Sequence, residues 1–151
     1  VELLGLEFGE TVAIDKDFDP SIPSIRADAS AIRQVILNLL RNACQAGATR
    51  LKLRTRVEFG NAALEPGPGN AIRLDSSDAG HGVPESLRSL LFLPLVTSRR
   101  DGTGLGLSLS QQIAAAHGGL LTFEPLERGS RFSLFLPFGK HASGGEQERA
   151  A

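Results

Sequence analysis

Apolar residues recur at helical spacing between Ala29 and Ala46, where Ile32, Val35, Ile36, Leu39 and Ala43 fall on one side. Asp28 or Ser30 can cap the start of that helix, and Gly47 stands where a left-handed stop belongs. Elsewhere the period is two. Val12 to Phe18 alternates as a strand. Arg50 to Phe59 sets Leu51, Leu53, Thr55 and Val57 against charged neighbours, which predicts a half-buried strand. Gly60 to Asn70, with Pro66, Pro68 and three glycines, reads as a surface loop at a hairpin end, and Ala71 to Leu74 resumes a strand that runs into a turn.

Pro84 opens a short helix through Leu91. Phe92 to Thr103 shows no period and is expected to be a mobile lid. Leu105 to Ala116 is predicted helical, with Leu105, Leu109, Ile113 and Ala116 as its apolar face and His117-Gly118-Gly119 as its stop. Leu120 to Glu124 and Arg131 to Leu136 read as strands joined by a turn at Glu127 to Ser130. The order predicts an α+β sandwich with helices on one face of a mixed sheet. Residues 12–138 form the expected domain, 1–11 the end of a preceding segment, and 139–151 a polar tail expected to be disordered.

Composition adds limits. The chain has 151 residues, of which 41% are hydrophobic, enough for one domain with a core. Its formal charge of -1 implies no general field for nucleic acid or membrane, so any phosphate binding must be local. The single cysteine, Cys44, excludes an internal disulfide, lies in the first helix as an expected small buried apolar residue, and fits a reducing compartment. No apolar run approaches a membrane span and no leader pattern is present. The chain opens on Val1 and holds no methionine, as expected of a piece of a longer protein.

The first helix also carries a stripe of carboxamides, Gln34, Asn38 and Asn42, four residues apart. A solvated face would favour Glu and Lys, better helix formers by roughly half a kcal/mol per position. Either the amides bond a neighbouring loop, or one offers a neutral oxygen to a cation already balanced by phosphates, such as Mg²⁺. Further along, Asp78-Ala-Gly-His-Gly82 follows a strand. A carboxylate there, with glycines in the bend, can meet the edge of a flat ring and accept from an exocyclic amine, or it simply starts a tight turn.

Gly102-Thr-Gly-Leu-Gly-Leu107 precedes a helix, so its amides and the helix start suit a phosphate, although a flexible hinge needs the same residues. It lacks the Lys-Ser/Thr pair of a Walker loop and the spacing of a dinucleotide fold. Arg99 and Arg100 lie beside it and could neutralise terminal phosphates. His81, His117 and His141 show no metal spacing with one another or with Cys44, so no zinc site is expected, and no Ser, His, Asp set is evident.

In combination and in this order, the amide stripe, the Asp-x-Gly-x-Gly turn, the lid and Gly-x-Gly-x-Gly resemble the ATP-binding catalytic domain of sensor histidine kinases. This is the Bergerat fold shared with gyrase B and MutL ATPases, a two-layer α/β sandwich on a mixed, mostly antiparallel sheet. The resemblance runs from Val12 to Pro137. Phe18-Asp-Pro-Ser-Ile-Pro23, Asn38 to Ala46 and Pro94 to Arg99 before the glycines are similar to nitrogen-regulation kinases of the NtrB type.

That resemblance implies roles by position. Asn42 would ligate Mg²⁺, Asp78 would bind the adenine amino group of ATP, and Gly80 and Gly82 would shape the adenine pocket. Gly102, Thr103, Gly104, Leu105 and Gly106 would wrap the phosphates, Arg99 would join Asn38 and Asn42 in the catalytic set, and Ser130 would support Asp78. Asn38 occupies the place of a water-activating Glu in the gyrase and MutL branch, and an amide cannot act as that base. The implied activity is transfer of the γ-phosphoryl group to a histidine on a dimerisation domain outside the chain. The implied partners are that domain, an NtrC-like receiver domain and a PII signalling protein, within a cytoplasmic homodimer without nucleic-acid or membrane contact.

The chain departs from the family's Asp-Asn-Gly-Pro-Gly by carrying Ala79 and His81. Two alternatives therefore stay open: an anti-sigma-type serine kinase, and a docking domain that senses nucleotide without catalysis.

Overall fold

Asp28 ends an extended segment and begins a helix. At φ -75° and ψ 103° its carboxylate accepts from the N–H groups of Ser30, at 3.0 Å, and Ala31, at 3.1 Å. Donors that no helical carbonyl could reach are thereby satisfied. The computed structural model describes residues 12–64, 68–94 and 106–139. They form β1 (Ala13–Phe18), α1 (Ala29–Gln45), β2 (Arg50–Asn61), β3 (Gly69–Asp78), α2 (Glu85–Arg88), α3 (Gly106–Ala116), β4 (Leu120–Pro125) and β5 (Ser130–Phe138). α1 ends as its sequence predicts. Gly47 takes φ 78°, and the N–H groups of Gly47 and Ala48 return to the carbonyls of Cys44 and Ala43.

The strands make one five-stranded sheet in the order β1-β2-β3-β5-β4. Of its strand pairs, β1 and β2 run parallel, joined by the α1 crossover, and the others are antiparallel. α1 and α3 cover one face. Val35 and Leu39 of α1 meet Ala114 of α3 and Leu121, Phe132, Leu134 and Leu136 of the last two strands. A neighbouring cluster places Leu40 and Ala43 on Leu51 and Leu53, with Ile14 and Ile36 packed against it. The expected α+β sandwich, mixed and mostly antiparallel, is therefore observed. At the far end of the helices, the backbone N–H of Asp28 donates to His117 Nε2 at 3.0 Å, while His117 Nδ1 donates to the Ile113 carbonyl at 2.8 Å. These partners require Nε2 to carry no proton.

Several expectations change. Leu109 is 43% exposed and Ala116 is also exposed, so of the predicted apolar face of α3 only Ile113, among the described residues, packs against the core. Ser108, Ser110 and Ala114 are buried instead. Small residues let α3 lie close to α1, a preference that outweighs the outward leucine. Leu105 lies outside the described residues. β3 starts two positions before Ala71 and continues past Leu74 to Asp78, because Asp75 to Asp78 pair on both sides with β2 and β5. α2 stops at Arg88, and Ser89 to Pro94 follow as turns. Cys44 is half-buried, packed against the second cluster. The predicted surface loop holds a buried Leu64, which closes over Ala71 and Phe135 on the sheet face away from the helices. Most of the lid, residues 95–103, and the tail from 140 on lie outside the described residues.

The face away from the helices is ionic. Arg73 donates to Asp75 at 2.7 Å and to Glu58 at 2.9 Å, and its guanidinium lies 5.4 Å from the Phe135 ring centre. Ser133 donates to the same buried Asp75 carboxylate at 2.6 Å. Burial works against the Arg73 charge, but its hydrogen bonds to Glu58 and Asp75 outweigh it and raise its pKa above the ordinary value. At the β1 edge, Arg56 donates to Asp17 at 2.8 Å, and this bond holds the Asp17 carboxyl below its ordinary 3.8.

A depressed carboxylate contributes stability that is complete above its unfolded pKa and fades as pH falls through the folded one. Denaturant melts at pH 6 and pH 3 should therefore show wild type and Asp17→Asn converging at the lower pH. A gap that stays constant would remove Asp17 from the acid response.

Candidate functional site

The site grows from the end of β3. Asp78 pairs with Leu51 of β2 and Ser130 of β5, so its backbone is fixed from both sides. The chain then turns sharply. Asp78 Oδ1 accepts from the Gly80 N–H at 2.8 Å, closing an Asx turn, and the His81 N–H donates to the Ala46 carbonyl at 3.1 Å. The turn is thus seated on the last residues of α1. A methyl at Gly80 would lie 2.5 Å from the Ala46 carbonyl oxygen, so a side chain cannot fit there without displacing the helix end.

Gly129 closes the other side. Its φ is 87°, and a methyl added there would lie only 2.0 Å from the Asp78 carbonyl oxygen, so glycine lets the β4–β5 turn press against the backbone of the acid. Asp78 is 8% exposed and Ser130 4% exposed. Ala79 and His81, the departures from the family pattern, leave this turn closed. His81 is exposed, with Nδ1 3.0 Å from the Gly82 carbonyl. Arg88 Nε donates to the Val83 carbonyl at 3.2 Å and holds the exit of the turn. An open cleft of about 540 Å³ runs along the turn, lined by Ala46, Gly80, His81, Arg88, Arg128 and Gly129 among others. Neither Asp78 nor Asn42 lines it, so it lies beside the carboxylate rather than over it.

The amide stripe occupies the next part of α1. Gln34 Nε2 donates to Asn38 Oδ1 at 2.9 Å, and Asn38 Nδ2 donates to the Gly106 carbonyl and to Ser110 Oγ, each at 3.2 Å. Asn42, half-buried, follows one turn later. Asp78, Gly80, Gly82 and Ser130 thus surround one turn, while Asn38 and Gly106 meet where α1 faces the start of α3. Arg99, Gly102, Thr103, Gly104 and Leu105 lie outside the described residues.

Three contributors were not identified from sequence: Ala46, Gly129 and Ser110. Ala46 acts through its carbonyl, which leaves no mark in residue type. Gly129 is signalled only as a turn glycine before a strand. Ser110 sits four residues after Gly106, and its hydroxyl donates to that carbonyl at 2.7 Å. Among the described residues, no group of His, Cys, Asp and Glu could hold a metal ion.

Comparison with known proteins adds a lineage to this geometry. Residues 27–140 match the family model described as histidine kinase-, DNA gyrase B-, and HSP90-like ATPase. The sensory histidine kinase/phosphatase NtrB of Klebsiella oxytoca is 37% identical over 143 residues, 93% of this chain and 41% of that protein. NtrB of Rhodobacter capsulatus is 36% identical over 138 residues, 88% of this chain and 39% of its own length. The chain therefore spans about two fifths of these relatives. Among solved structures, the catalytic domain of histidine kinase ThkA, in a nucleotide-free form, gives a TM-score of 0.71 at 27% identity, covering 90% of this chain and 84% of that one. Full-length ShkA in complex with AMPPNP gives 0.69 at 25% identity, covering 91% of this chain and 29% of that one.

The packing of Gly129 on Asp78 makes a direct prediction. Gly129→Ala should destabilise the fold by about 1 to 3 kcal/mol, the range for an overpacked site, and should shift the amide resonances of residues 78–82. Resonances that stay in place would show that the β4–β5 turn does not locate the carboxylate.

Proposed function

The chain belongs to the histidine kinase-, DNA gyrase B- and HSP90-like ATPase family, and we propose that it is the Mg-ATP-binding catalytic domain of a two-component sensor histidine kinase in nitrogen-regulation signalling. In this reading the domain donates the γ-phosphoryl group of ATP to a histidine on a dimerisation domain of the same protein. The observation that carries it is a buried carboxylate at a strand end, held by neighbours on both sides and flanked by a glycine that lets backbone come close.

The residues present fit an adenine nucleotide. Asp78 accepts from the exocyclic amino group, Gly80 and Gly82 shape the pocket by letting Ala46 and Gly129 close on the turn, and Ser130 supports the acid from the paired strand. Asn42 holds Mg²⁺ through one neutral amide oxygen, which suits a hard cation whose charge the phosphates balance. Bound Mg-ATP supplies the phosphoryl group. The first turn of α3, with Gly106 at its start, presents backbone N–H groups to the phosphates. Arg99 and the run Gly102, Thr103, Gly104 and Leu105 are assigned to the phosphates by motif position alone.

The chain's contribution to transfer is positioning and charge neutralisation. Asn38 provides no base to activate water, so hydrolysis should be slow. The partners this reading implies are an NtrC-like receiver domain and a PII signalling protein, within a cytoplasmic homodimer. Among the described residues no helix is long and apolar enough to cross a membrane.

Calorimetric titration with a non-hydrolysable ATP analogue, with and without Mg²⁺ and with GTP as control, tests the reading. Selective binding is expected to weaken by about tenfold to a hundredfold in Asp78→Asn, the range for a lost hydrogen bond to a charged group. Unchanged affinity would remove Asp78 from the adenine site. Transfer to a histidine-bearing domain, rather than to a serine or to no acceptor, would separate the kinase from a serine kinase or a docking domain. Steady ATP turnover by the chain alone should also be slow, and rapid turnover would contradict the role of Asn38.

A further inference from the structure

Asn38 commits both of its amide hydrogens to protein. One nitrogen reaches both the Gly106 carbonyl and Ser110 Oγ at 3.2 Å, and its oxygen accepts from Gln34 at 2.9 Å. The amide cannot be turned over, because its oxygen would then face a carbonyl that only accepts. Ser110 is fully buried and its hydroxyl donates to the same Gly106 carbonyl at 2.7 Å. Four polar groups from α1 and α3 therefore form one closed network between the helices.

We propose that Asn38 is a positioning residue that clamps the first turn of α3 to α1, and so fixes the distance between that turn and Asn42. This rests on the nucleotide reading above and deepens it. Asn38 sits one helical turn before Asn42 on α1, and its partner Gly106 is the first residue of α3. The network thus locks together the two groups assigned to the polyphosphate. In this role Asn38 acts on the polyphosphate through Gly106 rather than by contact of its own. Its amide donates where a carboxylate could only accept, so an acid at this position would repel the Gly106 carbonyl and release the helix start.

The clamp acts on the phosphate end and leaves the adenine end alone, since Asp78 and Gly80 are held by Ala46, Gly129 and the sheet. A general loss of stability would not make that distinction. Loss of a water-activating group would alter hydrolysis without altering the affinity of an analogue that cannot be hydrolysed.

The test uses the 151-residue chain and the variants Asn38→Ala, Asn38→Asp and Ser110→Ala. Amide hydrogen exchange is read without ligand at residues 110–112, whose N–H groups bond the carbonyls of the first turn of α3, and titrations use a non-hydrolysable ATP analogue with Mg²⁺ and, separately, AMP. In Asn38→Ala, exchange at residues 110–112 should accelerate as the first turn of α3 loosens, while β3 and β5 stay protected. Affinity for the analogue should fall by about fivefold or more, the effect of about one hydrogen bond, with AMP affinity changing less than about twofold. Asn38→Asp should do more, and Ser110→Ala the same in smaller measure, so the pattern is readable even if one Asn38 variant fails to fold. Unchanged exchange at 110–112, or equal losses for the analogue and AMP, overturns the proposal. Wild-type chain that binds no analogue would overturn the nucleotide reading and the phosphate part of this one, while exchange would still decide the clamp.

Discussion

The Ala46 carbonyl, the first beyond the last turn of α1, accepts the N–H of His81, and the rest of the site depends on that bond. It joins the end of a helix to the bend that follows β3, two places far apart in sequence. Because the carbonyl occupies the space a side chain would need at Gly80, helix and turn can approach only at a glycine. Since Asp78 bonds the Gly80 N–H from within the same bend, the acid inherits its position from the helix terminus. The sheet fixes the other coordinate, through pairing of Asp78 with Ser130 and the close approach of Gly129.

The ionic face of the sheet extends this logic along β3. Asp75 is nearly buried, and a carboxylate there is tolerated because Arg73 and Ser133 satisfy it. Arg73 in turn reaches Glu58 on β2, so the network ties β2, β3 and β5 together on the face opposite the helices. Strand residues alternate faces, so the side that carries Leu74 and Ser76 toward the helices also carries Asp78, while Arg73 and Asp75 point away. The acid assigned to adenine and the acid that stabilises the sheet thus lie on one strand with opposite surroundings.

Local chemistry explains what was legible beforehand. The Asp28 cap, the Gly47 stop, the core stripe of α1 and the strand alternation of β2 are all written within a few neighbouring residues, and each is observed. The Asp78 turn was legible for the same reason. Errors arose where position depends on distant partners. α3 buries Ser110 and Ala114 rather than Leu109, because closeness to α1 decides its rotation and no local period records that. Asp75 and Ser76 looked like the start of a turn, yet cross-strand pairing on both sides keeps them in β3. Leu64 looked like loop and is buried by Ala71 and Phe135.

The amide stripe lies between these cases, since its presence was visible and its use was not. Two explanations were open, bonding to a neighbouring element or service to a cation, and the structure bears on the first. Gln34 and Asn38 bond to protein, whereas Asn42 stands one turn nearer the Asp78 turn, at the position assigned to the cation. Replacement of the water-activating Glu by an amide, which the resemblance to the gyrase and MutL branch brings out, then has two physical consequences. An amide provides no base, and it provides the donor that a Glu lacks for the Gly106 carbonyl. The slow hydrolysis and the fixed α3 start that we propose thus draw on one side chain, and a chain carrying Glu at this position must hold its third helix by other bonds.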